Sequence, residues 1–285
     1  MNHEEFAESI VDSIVTLPTI PTVLAELNGA IANPNSSAAD IAAIISRDPP
    51  TATKALRLAN SAYYGLRNKV TTVNHAITML GFNIVRNLVL TATVFDMSSR
   101  SRSEGLFDKE HFWQHSLAVG VLSRIVGREA FPQAARRGDE FFVCGLLHDL
   151  GKIILDQHLN SKFEQALKVS RERKVPLIEA EREVITCTHA EVGSLLAKRW
   201  NLSAEITYSL GFHHDPLKAP EEQYRFTLTV HLADVIARRM SIGSDGGGNP
   251  PLNRTAWEAL GLSKRKVPSI IMEAVKSLEQ QELAF

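Results

Sequence analysis

The chain reads as an all-α protein of two contiguous helical parts, and three observations predict this. Apolar residues recur at helical spacing from end to end, and no run alternates apolar and polar residues as a half-buried strand does. Capping residues, prolines and glycines cut that pattern into helix-sized pieces. The stretch Met97 to Leu106 (MSSRSRSEGL) is polar and aperiodic, so it reads as a connection. The expected organisation is a helical subdomain over residues 1–96, a connection over 97–107, and a second helical subdomain with a helical tail over 108–285.

In the first part, Pro18 and Pro21 break the chain, and Pro21 suits the first turn of a helix striped by Val23, Leu24, Leu27 and Ile31. Asn33-Pro34-Asn35 ends that helix. Ser37 with Asp40 has the form of a capping box ahead of Ile41, Ile44 and Ile45. Asp48 before Pro49 is a further start signal, a side-chain acceptor followed by a residue with no amide proton to satisfy. Ala55, Leu56 and Leu58 then lead to a stop at Gly65. Thr72 caps Val73 to Leu80, Gly81 breaks the pattern, and Ile84, Leu88 and Val94 carry another helix.

Composition narrows the classes of function. Hydrophobic residues make up 44% and charged residues 22% of the 285, which fits a soluble globular protein with a sizeable core. A formal net charge of −1 provides no field that would recruit nucleic acid or an anionic membrane. No apolar run approaches the roughly 18–20 residues needed to span a bilayer. Cys144 and Cys187 form no CxxC and lie in apolar patterns, so both are expected as buried free thiols suited to a reducing cytosol. The opening MNHEEFAESI lacks the basic and apolar regions of a signal peptide. Together these predict a cytoplasmic protein with neither a nucleic-acid nor a membrane partner.

In the second part, helices are expected from Asp108 to about Met240, followed by a glycine-rich surface loop, Ser241 to Pro251, and a final helical tail. Lys264-Arg265-Lys266, ahead of that tail, reads as solvated surface. Phe141 to Leu155 (FFVCGLLHDLGKIIL) reads as one mostly apolar helix with His148 and Asp149 side by side in its middle. An ionised carboxylate buried without a partner costs several kcal/mol, so a bound metal is one reason for Asp149 to sit there. The alternative is a helix that ends at Gly151, with Asp149 and Lys152 facing water.

Further candidate ligands decide between these readings. His115 shares a stripe with Phe112, Val119 and Leu122, and His189 with Val192, Gly193 and Leu196. Ser203 can cap a helix whose stripe of Ile206 and Leu210 continues to His213, with His214 adjoining, and Asp234 lies with Val230 and Ala237. Each of these alone reads as a hydrogen-bonded core residue, but a helical core has little need for so many inward polar side chains. Imidazole and carboxylate suit iron, manganese, zinc or nickel, and the lack of cysteine ligands argues against a structural zinc site. Seven ligands exceed one ion and fit two sharing a carboxylate, a recurring arrangement for phosphate ester hydrolysis.

His115, His148-Asp149 and Asp234 resemble the H…HD…D pattern of the HD superfamily of metal-dependent phosphohydrolases. LPTIPTVLAELNGAI, ISRDPPTATKALRLANSAYYG and VTTVNHAITMLGFNIVRNLV resemble the opening of bacterial HDOD proteins, the HD-related output domain, and the resemblance covers roughly residues 12 to 236. It implies a C-terminal helical bundle of the HD superfamily and a signalling or regulatory role. It also implies that Asp149 bridges two metals, with His115, His148 and Asp234 on one ion. His189, His213 and His214 then hold the other, as the extra ligands of the related HD-GYP phosphodiesterases do. Lys152 is similar to the lysine of the HD-x-G-K motif, which implies contact with a substrate phosphate. Asp215-Pro216-Leu217 stands in place of the glycine-tyrosine-proline loop, so cyclic di-GMP is not the expected substrate.

The expected cofactor is therefore one or two divalent transition metals (Fe, Mn, Ni or Zn). His111, one turn before His115, is an extra ligand, a supporting residue or a surface residue; His3, His75, His158 and His231 belong to no motif. Three functions fit. One is a phosphohydrolase acting on a phosphoester, a phosphodiester or a nucleotide. The second is a signalling module that binds a nucleotide, or holds metal structurally, without turnover. The third is a scaffold that contacts a signalling partner through its N-terminal half.

Overall fold

Asn60, in the NSAYYG segment, shows how local chemistry shapes the first part of the chain. Its side-chain amide donates to the Val70 carbonyl at 2.7 Å and accepts from the Val70 amide at 2.8 Å, closing the loop between two helices. The computed structural model describes residues 22–61, 64, 66, 68–99, 105–243 and 251–279. Among these residues there is no strand, and the class is all-α as the periodicity predicts. Residues 22–99 and 105–275 form two compact units.

The first unit contains α1 (Thr22–Ala32), α2 (Ala38–Ser46), α3 (Pro49–Ala59), α4 (Val73–Leu80) and α5 (Phe82–Ser99). The expected caps form. Ser37 and Asp40 make a reciprocal capping box, Asp48 accepts from the Thr51 amide, and Thr72 accepts from the His75 amide. Gly81 ends α4 with φ +86°, a conformation that other residues rarely adopt. Leu27, Ile41, Ile45, Ala59 and Val89 are fully buried in this unit.

Two boundaries differ from the expected ones. The third helix ends at Ala59, where Asn60 turns its amide to Val70, and the Gly65 stop and Pro21 start lie outside the described residues. Helix α5 runs to Ser99, into the segment expected as a connection, because nothing in Met97-Ser98-Ser99 breaks a helix and the first glycine of the stretch is Gly105.

The second unit is built from α6 (Lys109–Ala130), α7 (Gly138–Leu147), α8 (Leu150–His158), α9 (Asn160–Arg173), α10 (Leu177–Val184), α11 (His189–Arg199), α12 (Ala204–Phe212), α13 (Tyr224–Arg239), α14 (Arg254–Leu260) and, as far as Val275, α15 (Val267–Glu279). Short 3-10 turns at Pro132–Arg137, Pro216–Lys218, Glu221–Gln223 and Lys264–Lys266 join some of them. Helix α6 packs against α7 and α13 along its length, and α11 packs against α8 and α12. Asp108 caps α6 by accepting from the His111 amide, and Thr188 caps α11 in a capping box with Glu191. Ser203 stands at the N-cap position of α12 without a side-chain bond to its backbone. Of the expected loop from Ser241 to Pro251, residues 244–250 lie outside the described residues. Among the described residues no helix is long and apolar enough to cross a membrane.

Phe141 to Leu155 is not the single helix its composition predicts. It is α7 and α8, meeting at a turn formed by His148 and Asp149.

Candidate metal centre

The turn between α7 and α8 is held from both sides. The Lys152 amide donates to the Asp149 carbonyl at 2.9 Å, and the His148 ring nitrogen Nδ1 donates to the Gly145 carbonyl at 2.7 Å. Gly151 lets the turn press against the start of α11, since a Cβ there would lie 1.9 Å from the His189 carbonyl oxygen. The glycine of the HDLGK segment is therefore a contact residue between two ligand-bearing elements. His115 is brought in by α6, Asp234 by α13, and His213 and His214 by the end of α12.

These side chains meet around Asp149. Its Oδ1 lies 3.2 Å from His189 Nε2 and 3.5 Å from His213 Nε2, and its Oδ2 lies 3.2 Å from His148 Nε2. Asp234 Oδ1 is 3.0 Å from His115 Nε2 and 3.8 Å from His148 Nε2. His189 Nε2 and His214 Nε2 are 3.0 Å apart. Potential ligand atoms fall into two sets, each within 4.8 Å: Asp149, His189, His213 and His214 in one, and His115, His148 and Asp149 in the other. Asp149 belongs to both.

The donor chemistry fits a metal. Among the described residues, His115 Nε2, His148 Nε2, His213 Nε2 and Asp149 Oδ1 are buried with no hydrogen-bond partner. Such atoms are rare in a folded core, where leaving one unsatisfied costs about 1–3 kcal/mol. His148 and His213 each direct Nδ1 at a backbone carbonyl, which can only accept, and so turn Nε2 to the centre; in His213, which burial keeps neutral, that Nε2 presents a lone pair. Burial lowers the pKa of His115, takes that of His213 to about 4, and holds His214 well below the usual range. All three are thus neutral and ready to coordinate. Burial raises the pKa of Asp149, but His148 and Lys152 overcome that and hold it well below the usual carboxylate range. Asp234 is likewise kept ionised against burial, chiefly by Arg238.

His189 differs from the other histidines. Burial is the largest influence and opposes its charge, as does Lys152, but Glu181 and Asp149 together raise its pKa to about 9. Glu181 is fully buried and accepts from both His189 Nδ1, at 2.7 Å, and the His189 amide, at 2.9 Å. The sequence reading missed Glu181, although it shares an inward stripe with Leu177, Ile178 and Ala180 on α10. It also missed Arg238, one turn after Asp234, whose Nε donates to Asp234 Oδ1 at 2.9 Å.

Lys152 does not face water. It is fully buried, with Nζ 2.6 Å from Asp149 Oδ2. His231, which no motif claimed, is buried, and its Nδ1 donates to the His213 carbonyl at 2.8 Å while Nε2 accepts from the Asn253 amide. His111 is half exposed beside Asp108, His75 and His158 are exposed, and His3 lies outside the described residues. Cys144 and Cys187 are both buried free thiols. Burial pushes Cys187 up to about 12 and raises Cys144 further.

The HDOD domain family profile matches residues 17–216, and the chain belongs to that family. An HDOD domain protein of unknown function from Geobacter sulfurreducens has the same fold, with a TM-score of 0.81, 23% identity, and 99% of this chain and 98% of that one covered. A Shewanella amazonensis SB2B protein provisionally named a phosphohydrolase matches with a TM-score of 0.68, 24% identity, and 95% and 96% of the two chains covered. A curated but uncharacterised Treponema pallidum (strain Nichols) protein is 28% identical over 234 residues, 82% of this chain. The chain spans only 44% of that relative's length.

Proposed function

We propose that this chain is an HDOD regulatory module whose second helical subdomain hydrolyses a phosphodiester at a centre of two divalent transition metals. The observation that carries this reading is the sharing of Asp149 by two sets of ligand atoms. His189, His213 and His214 would hold one ion, His115, His148 and Asp234 the other, and Asp149 would bridge them. Paired metals of this kind supply Lewis acidity at the phosphoryl oxygens and a water acidic enough to attack near neutral pH. Water adds at phosphorus, the P–O bond to one ester group breaks, and the proton lost by the water is the one gained by the departing alkoxide, which leaves as the alcohol.

The protein's own residues prepare that chemistry. Lys152 and Arg238 keep Asp149 and Asp234 ionised inside the core. Lys152, expected at the substrate phosphate, acts instead through Asp149, on which its Nζ rests. Glu181 holds the His189 ring by Nδ1, so that Nε2 faces Asp149, where, once deprotonated, it would serve as a metal ligand. His231 fixes the backbone of His213. One observation favours a second reading, a centre that binds a ligand or holds the fold without turnover: of the seven candidate ligands, His214 alone is more than marginally exposed.

Elemental analysis of untreated protein should find iron, manganese, nickel or zinc, and Asp149→Ala should lose most of it. Full metal content in that variant, with native helicity, would remove the assignment. Metal-loaded protein should hydrolyse bis-p-nitrophenyl phosphate slowly and cyclic di-GMP little or not at all, with Asp149→Ala inactive. Fully metallated protein that is inert over a wide substrate panel would favour the silent reading.

A further inference from the structure

The most exposed ligand, His214, also lines a cleft of about 380 Å³ bounded by α10, α11, α12 and the turn after α12. That volume lies in the range of small-ligand sites, roughly 300–1,000 Å³. Through His214 the cleft reaches the metal centre, because the same ring sits 3.0 Å from His189 Nε2. Its charges are unevenly committed. Both acidic residues in its wall are engaged, Glu191 by the amide and hydroxyl of Thr188 and Asp215 by Lys218 at 2.7 Å. Arg182 on α10 and Lys198 on α11 line the same cleft, are exposed, and form no ion pair among the described residues. Phe212, partly exposed, adds an aromatic face beside His214.

We infer that the cleft is a substrate subsite, and that the diester cleaved at the centre is a short nucleotide carrying a second phosphate, held by Arg182 and Lys198. This rests on the hydrolytic reading above and names its substrate class. A planar guanidinium and an ammonium are the groups that recognise a phosphate, and an aromatic ring at the mouth can stack a base. A simple diester without a second anion would leave both cations unused. Such a substrate is cleaved, but gains nothing from the cleft.

The test compares hydrolysis-resistant phosphorothioate forms of two linear dinucleotides, adenylyl-adenosine with and without a terminal 5′-phosphate, by calorimetry on the metal-loaded protein. The phosphorylated form should bind about tenfold tighter, since it adds a charge-assisted contact. In the Arg182→Ala/Lys198→Ala double variant the two should bind equally, with metal content unchanged. Equal binding to the parent, no binding of either form, or a preference that survives in the double variant would overturn the subsite. If the preference holds but no diester is cleaved, the subsite stands and the hydrolytic reading fails. Both substitutions are at exposed positions outside the metal ligands, so folding does not confound the result.

Discussion

Among the described residues of the first helical unit, the buried polar side chains are Thr51, Asn87, Thr91 and Thr93, none of them charged. In the second unit the buried set includes Asp149, Lys152, Asp156, Glu181 and Asp234, together with five histidines. Both units are all-helical and both have cores of Leu, Ile, Val and Ala. Apolar burial is therefore enough to account for the first interior. The second holds buried carboxylates at a cost that packing does not repay, and cationic or metallic partners must offset it. The difference separates a unit shaped by packing from one shaped around a site.

Substitutions at glycine probe that difference most sharply. Gly151→Ala should destabilise the protein by about 3 kcal/mol, because the new methyl would meet the backbone of His189, which cannot move without disturbing the centre. Chemical denaturation measures this, and near-parental stability would mean that α8 and α11 pack less tightly than described. Glu181→Gln should weaken metal binding about 10–100-fold with helicity retained, since it removes the charge behind His189 while keeping an acceptor. Competition with a chromophoric chelator gives the ratio, and unchanged affinity would deprive Glu181 of its supporting role.

The histidines also predict how stability depends on pH in chelator-stripped protein. His213 titrates near 4 when folded against an ordinary 6.5, so its contribution is present above 6.5 and is lost as pH falls toward 4. His189 titrates near 9 when folded, so its contribution is present below 6.5 and is lost as pH rises through 9. Thermal stability should therefore peak near pH 6.5, and restoring metal should flatten the alkaline side. In stripped protein, a profile that kept rising from 6.5 to 9 would contradict the His189 assignment, and one that fell between 4 and 6.5 would contradict the His213 assignment. The smallest effect belongs to the first unit. Gly29 lies exposed in α1 with open space where a Cβ would go, so Gly29→Ala should stabilise by about 0.5–1 kcal/mol without altering metal content.

Local chemistry was legible in the sequence. Ser37, Asp48 and Thr72 cap their helices because a cap depends on neighbours within a few residues. The inward stripes likewise placed His115, His189 and Asp234 in the interior, because helical period fixes a face. The break at His148-Asp149 was hidden because it depends on α11 pressing against Gly151, a contact between segments far apart in sequence. Glu181 and Arg238 were hidden for a different reason. Charged side chains on helices are read as solvated, and their burial depends on partners that only the fold supplies. Lys152 escaped for the same reason: its partner, Asp149, is itself buried.

The two cysteines have a consequence for studying the cleft. Both thiols are buried and held in the protonated form, so the folded protein should react slowly with maleimides and iodoacetamides, which attack the thiolate. A single cysteine introduced at an exposed position beside the cleft such as Arg199, next to Lys198 on α11, would then be the preferred point of attachment, with no need to remove the native pair. A fluorophore or spin label placed there would report occupancy of the cleft while leaving the histidine cluster chemically intact.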